Sequence, residues 1–346
     1  MSYHTFQTII IPAIVVFAVT YFVTKFLMGY LFGAGIIAED RNKKVPVKLP
    51  SSGGLGVSFG IIFGILTYIF GASFIFQAVI SIDKLFAVAL SIMLIALVGF
   101  IDDINVKRER EKSTDMMDIR VGLKQWQKPL LTLIGALPLM AINVHAGAVN
   151  MPFIGSISFG IIYPLIILPL AVIFISNAVN ILGGFDGLQP GMILIASFGL
   201  LLYSFFYGNY IGTFLSVLLF SSVLAFLPFN IFPAKIIPGD SFTYAVGAAF
   251  ASIAIMGNAE AFALIIFIPW IIEFFLHLRR KFKVTDLGIL QKDGTMKAPY
   301  GKKIYSLTHL IMNIKKAKEV DVSIYLCAME ILFVLLAFGL KFLGLL

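Results

Sequence analysis

Charge is what this sequence has least of. Asp, Glu, Lys and Arg together make up 13% of its 346 residues, while 60% are apolar. Soluble domains usually hold ~45–50% apolar residues, and here too few polar side chains remain to clothe a water-facing surface. A soluble enzyme, a disordered chain and a coiled coil are excluded together. The single cysteine, Cys327, excludes an intrachain disulfide and a cysteine-built metal site. Histidine is scarce as well: His4, His145, His277 and His309 stand apart, with no metal-ligand spacing. No internal repeat, low-complexity tract or soluble domain breaks the chain, so 1–346 reads as one integral membrane domain. No nucleic-acid partner is expected.

What is present is long apolar runs. A bilayer-crossing helix needs about 20 mostly apolar residues, and ten runs qualify: about 6–32, 53–72, 85–101, 129–145, 160–181, 190–207, 211–228, 242–258, 261–278 and 323–346. The first has no Lys or Arg before it and is too long for a secretion signal, so it reads as a permanent span. The expected fold is therefore an all-α, polytopic membrane protein. Of the 26 basic residues, 23 fall in gaps that share one side of a ten-span chain. The positive-inside rule makes that side cytoplasmic and puts both termini outside. The largest cytoplasmic gap, about 279–322, carries Asp293-Gly294, which could close a hairpin. Beyond it Ile304, Leu307, Leu310, Ile311 and Ile314 recur at helical spacing, suggesting a short helix in the membrane interface.

Carboxylates and amides gather where the spans meet this face. The third span ends in GFIDD, with Asp102 and Asp103; the fifth ends in NAVNILGGFDGLQPG, with Asn177, Asn180 and Asp186; the seventh runs into FNIFPAKIIPGDS, with Asn230, Lys235 and Asp240. Asn177 and Asn180 share a helix face. One such amide commonly just bridges membrane helices. Two of them, followed by glycines and Asp186, supply oxygen donors of the kind Mg²⁺ takes. Asp240 could equally be an N-cap. Asp102 and Asp103 stand at a helix C-terminus, which favours cations, and a shared site would raise one pKa and give a proton acceptor. Lys128 at the head of the fourth span could snorkel to the interface. Arg279, Arg280, Lys281 and Lys283 could orient the chain or clamp a diphosphate. Glu273 is a charge inside a span and so a site candidate, while His277 could be only an interface residue. The basic run KREREK at 107–112 reads as a solvated face.

Asp-Asp after the third span, N-A-x-N with a later D-G-L, and F-N-x-x-P-A-K then G-D, in that order, resemble the polyprenyl-phosphate N-acetylhexosaminyl-1-phosphate transferases along essentially the whole chain. GDSFTY and DGTMKAPYGKKIYSLTHL look most like the dolichyl-phosphate branch of archaea and eukaryotes. The resemblance implies transfer of N-acetylglucosamine-1-phosphate from UDP-N-acetylglucosamine to dolichyl or another polyprenyl phosphate in the lipid bilayer, the first step of N-glycan assembly. It implies Mg²⁺, with Mn²⁺ as a substitute, on Asn180 and Asp240. It sets Asp102 and Asp103 near the reacting phosphates, Lys128 on phosphate and Asp186 near the uracil. Many bacterial members carry aspartate where Gly183 stands, and their histidine motif is missing from the last large loop. An archaeal cell membrane is the expected location, an endoplasmic reticulum membrane the eukaryotic equivalent, and a homodimer stays open. Alternatives are a bacterial-type enzyme using undecaprenyl phosphate and a secondary transporter. The latter would need polar groups near mid-bilayer with access from both sides.

Overall fold

The computed structural model describes residues 6–104, 107–108, 120–121, 123–124, 126–142, 148–152, 154–207 and 209–346. His4, His145, Arg110 and Lys112 lie outside the described residues. A π-helical turn at Phe6–Ile10 leads into α1 (Ile11–Gly33), followed by α2 (Gly54–Phe74), α3 (Ile82–Ile104), α4 (Gln127–Ala141), and α5 (Leu168–Ile181). Then come α6 (Leu188–Phe206), α7 (Tyr210–Asn230), α8 (Gly239–Met256), α9 (Glu260–Ile266), α10 (Ile268–Leu278), α11 (Leu307–Ile314) and α12 (Glu319–Phe342). The only sheet among the described residues is four separate two-stranded hairpins in the connections. The protein is an all-α polytopic membrane protein.

Among the described residues eight helices are long and apolar enough to span a bilayer, and α9 with α10, bent by 57°, makes a ninth if the pair is one span. The bend falls at Phe267-Ile268-Pro269, where proline at the head of α10 has no amide to continue the helix. The expected span at 129–145 appears as α4, whose 15 residues fall short of a full crossing; residues 143–147 lie outside the described set.

Small residues let the helices approach closely. On α2, Gly56, Gly60 and Gly64 face Thr24, Thr20 and Val16 of α1, and a Cβ on Gly60 would stand 1.9 Å from Thr20 Oγ1. This is the small-residue spacing that membrane helices use to pack backbone against backbone. At the centre stands α8, buried at every residue from Ser241 to Met256 although it is the least apolar of the eight spans. It is enclosed by α2, α3, α5 and α7.

In the 279–322 connection, the short strands Ile289–Leu290 and Met296–Lys297 pair antiparallel, and Gly294 takes the left-handed conformation in the turn. The hairpin is the one Asp293-Gly294 predicts. The helix after it also forms: Leu307, Thr308, His309 and Met312 are buried, Leu310 and Ile311 pack half-buried against the core, and Ile314 is exposed. Its core is the loop itself together with α10 and α12.

Candidate active site

The start of α8 is seated by bare backbone. A Cβ on Gly99 of α3 would lie 2.3 Å from the Asp240 carbonyl oxygen, and one on Gly239 would lie 2.4 Å from Asp103 Oδ2. Gly239 also has φ +74°, a conformation other residues rarely adopt. The Asp103 carboxylate accepts from the backbone amides of Asp240 (2.8 Å) and Ser241 (3.1 Å) and from the Ser52 hydroxyl (2.8 Å). An aspartate of α3 thus caps α8, satisfying amides that a helix start leaves without partners. Asp240 is therefore not the N-cap: it lies in the first turn of α8, and its side chain is directed to other partners.

Those partners come from two further helices. Lys128 Nζ of α4 lies 3.0 Å from Asp240 Oδ2 and 2.6 Å from Asp102 Oδ2. Asn180 of α5 donates from Nδ2 to Asp240 Oδ2 at 3.0 Å, and its Oδ1 accepts from the Thr243 hydroxyl at 2.9 Å. Asp102 Oδ1 accepts from the Leu123 amide at 2.6 Å. Asn177 bridges, donating to the Ile173 carbonyl and to Thr132 and accepting from the Tyr244 hydroxyl. Side chains of Asp102, Lys128 and Asp240 are 11–15% exposed, sheltered yet open to a ligand. Lys128 does not snorkel; it ties two carboxylates together.

The donor set suits a hard divalent cation. Asn180 and Asp240 are already in contact, so one ion can take oxygen from both once the amide turns its Oδ1 inward. Asp102 and Asp240 against one lysine also leave an excess of negative charge, with Asp103 further committed to the amides of α8. Asp102 and Asp103 do not share a partner pair, despite being neighbours: one faces Lys128, the other the α8 backbone.

Asp186 belongs to a second cluster. Lys43 Nζ lies within 2.9 Å of Asp40 Oδ2, 2.8 Å of Asp186 Oδ2 and 2.6 Å of Glu319 Oε2, and 4.5 Å above the Phe232 ring. Burial would pull the Lys43 pKa down, but hydrogen bonds from Asp186, Glu319 and Asp40 hold it above the ordinary lysine value. Ala234 N also donates to Asp186, fixing the loop after α7. Asn230 accepts from Gly187 N and donates to the Ile236 carbonyl, bracing the same loops; Lys235 is exposed. Sequence reasoning passed over Lys43, Asp40 and Glu319, because only their convergence singles them out.

A third group gathers at the end of α10. His277 Nε2 lies 2.8 Å from Glu273 Oε1 and 2.9 Å from Asp286 Oδ1, so this histidine is not a simple interface residue. The expected basic clamp is engaged in part by its own loop. Arg279 donates to the Ile304 carbonyl and lies over Tyr305, Arg280 lies over Tyr300 and Tyr305, and Lys281 and Lys283 are exposed. No hydrogen bond or ion pair among the described residues joins these four to the Asp102–Asp240 cluster. Nearby, burial pushes the His309 imidazole below its ordinary pKa; Nδ1 accepts from the Tyr305 amide and Nε2 donates to the Thr285 carbonyl.

Comparison with known proteins identifies the family. A protein of Saccharolobus solfataricus that bears the provisional name UDP-N-acetylglucosamine–dolichyl-phosphate N-acetylglucosaminephosphotransferase is 31% identical over 95% of both chains. A Sulfolobus acidocaldarius protein of the same provisional name is 30% identical over 95% of both. The phospho-N-acetylmuramoyl-pentapeptide-transferase of Clostridium perfringens is 30% identical over 59% of this chain and 65% of its own. The family model described as glycosyl transferase family 4 matches residues 85–258, a stretch that contains Asp102, Lys128, Asn180 and Asp240. The chain belongs to glycosyl transferase family 4.

Proposed function

We propose that this membrane-embedded sugar-phosphate transferase moves N-acetylglucosamine-1-phosphate from UDP-N-acetylglucosamine to a dolichyl or related polyprenyl phosphate. The products are UMP and the lipid-diphosphate-linked sugar. The reading rests above all on one observation: Asp102, Lys128, Asp240 and Asn180, from four different helices, are joined in that order by side-chain hydrogen bonds. The two archaeal relatives support the choice of sugar and lipid by their names.

A phosphate oxygen of the lipid attacks the sugar-linked phosphorus of the nucleotide sugar. The new P–O bond replaces the bond to UMP, which departs with the electron pair. Because a phosphate monoester is largely doubly ionised at neutral pH (second pKa about 6), the attack needs no obligatory base. Mg²⁺, or Mn²⁺ in its place, held by Asn180 and Asp240 would neutralise the diphosphate. Lys128, steadied by Asp102, presents its ammonium to a phosphate oxygen. Asp103 acts through the α8 backbone, setting where Asp240 stands. Asn177 and Asn230 support the surrounding loops, and Asp186 with Lys43 lies on the side assigned to the nucleoside. Of the basic loop residues, Lys281 and Lys283 remain for a diphosphate oxygen. The site opens to the cytoplasm in this reading, as the basic loops require.

The test is transfer of labelled sugar phosphate by detergent-purified protein supplied with dolichyl or undecaprenyl phosphate and several UDP-sugars. Labelled N-acetylglucosamine should pass to dolichyl phosphate with release of UMP, and Asp240→Ala should abolish the Mg²⁺-dependent rate. Full Mg²⁺-dependent activity in Asp240→Ala removes the metal assignment. Preference for undecaprenyl phosphate or another sugar reassigns the substrate.

A further inference from the structure

Glu273, His277 and Asp286 take no part in that chemistry, yet they are built as a site. Glu273 and His277 stand four residues apart on α10 and present one face of the helix. Glu273 is completely buried and His277 nearly so. Asp286 comes from the following loop, and one ligand atom from each residue falls within 4.8 Å of the other two. His277 Nε2 can carry one hydrogen, but two carboxylate oxygens press on it. The hydrogen bond goes to Asp286 Oδ1. Glu273 Oε1, 2.8 Å from the same nitrogen, is left buried without a hydrogen bond, while Oε2 takes the Leu307 amide. A buried carboxylate oxygen aimed at two other donor atoms is what a cation relieves.

The contrast with the other carboxylate group is instructive. Asp40, Asp186 and Glu319 have the same spacing, but the Lys43 ammonium already sits among them. No lysine or arginine forms an ion pair with Glu273 or Asp286 among the described residues. Two ionised carboxylates and a neutral imidazole around a divalent ion sum to zero charge.

We propose that Glu273, His277 and Asp286 form a second metal site, for a borderline transition ion such as Zn²⁺, separate from the Mg²⁺ ligands. Imidazole with carboxylates suits Zn²⁺, whereas Mg²⁺ prefers oxygen alone. A tetrahedral ion at ~2.0–2.2 Å from each ligand asks these atoms to part by about half an ångström, and leaves a fourth position for water. The ion's role is to fasten the loop. Glu273 holds the first amide of α11, and the Asp286 carbonyl accepts from Thr308. The next residue, Leu287, packs against Gly184, two residues before Asp186. Binding would thus hold the large loop over the turn that carries Asp186.

The experiment uses the full chain in detergent, stripped by a chelator, returned to excess Mg²⁺ and dialysed against Zn²⁺, with bound zinc counted by mass spectrometry. One Zn²⁺ per chain is expected in the wild type and in Asp240→Asn, with stoichiometric binding lost in Asp286→Asn and His277→Asn. Co²⁺ added to the wild type should give the visible bands of four-coordinate nitrogen and oxygen ligation, a readout that needs no variant to fold. Failure of the wild type to retain zinc, retention of zinc by His277→Asn, or octahedral Co²⁺ bands would each overturn the proposal. None of these results depends on transfer activity, so the assignment of the reaction stands or falls separately.

Discussion

Asp102 and Asp103 are adjacent in sequence and do different work, which mutation should separate. Asp103→Asn keeps the shape but cannot accept two amides and a hydroxyl with a side chain that is half donor. The unmet groups cost about 1–3 kcal/mol, so the thermal unfolding midpoint of the purified protein should fall. Asp102→Asn leaves Lys128 paired with Asp240, so its effect should appear in the transfer rate with little change in that midpoint. Equal midpoints for the two variants would contradict the capping role of Asp103. Lys43 offers a second test. Its pKa is raised above the ordinary lysine value of 10.5, so the stability it contributes is fully present below that pH and is lost only in stronger alkali. Amine-reactive labelling at mildly alkaline pH should therefore spare Lys43 while modifying the exposed Lys44 and Lys48. Removing it in Lys43→Met sets three carboxylates against one another and should cost about 3–5 kcal/mol, the scale of breaking a buried ion pair.

At the scale of elements, glycines decide how near the helices come. Gly60→Leu must drive α1 from α2, and overpacking of this kind costs about 1–3 kcal/mol, read as a lower unfolding midpoint. Gly99→Ala is a smaller change in a more sensitive place. Its methyl group meets the Asp240 carbonyl, so activity should fall further than stability does. The sequence makes the helices themselves legible, because twenty-residue apolar runs have one solution in a bilayer. It also carries the Asp293-Gly294 turn and the shared face of Asn177 and Asn180, which are local properties. What it does not carry is which end of a helix meets which. Asp103 capping α8 and Lys43 beside Asp186 and Glu319 join residues whose separation hides the pairing. In the helix after the hairpin, Thr308 and His309 turn inward to hydrogen bonds within the loop, contacts that an apolar stripe does not announce.

For the whole molecule, the distribution of basic residues predicts one orientation, and the lone cysteine makes it simple to test. Cys327→Ser leaves a cysteine-free chain. Single cysteines placed at exposed Gln77 and exposed Asp293 should then report opposite faces. A membrane-impermeant maleimide added to intact cells should label Gln77→Cys and reach Asp293→Cys only after lysis. The reverse pattern would turn the active site outward and deprive a cytoplasmic nucleotide sugar of access.

The burial of α8 on every side bears on how the protein is made. Rich in alanine, glycine and serine and carrying Asp240 in its first turn, this segment gains less from lipid than its neighbours do. Left alone during synthesis, it is a poor candidate for release into the bilayer. It should stay beside the insertion machinery until α2, α3, α5 and α7 can receive it. Assembly and the maturation of the reaction centre would then be one event.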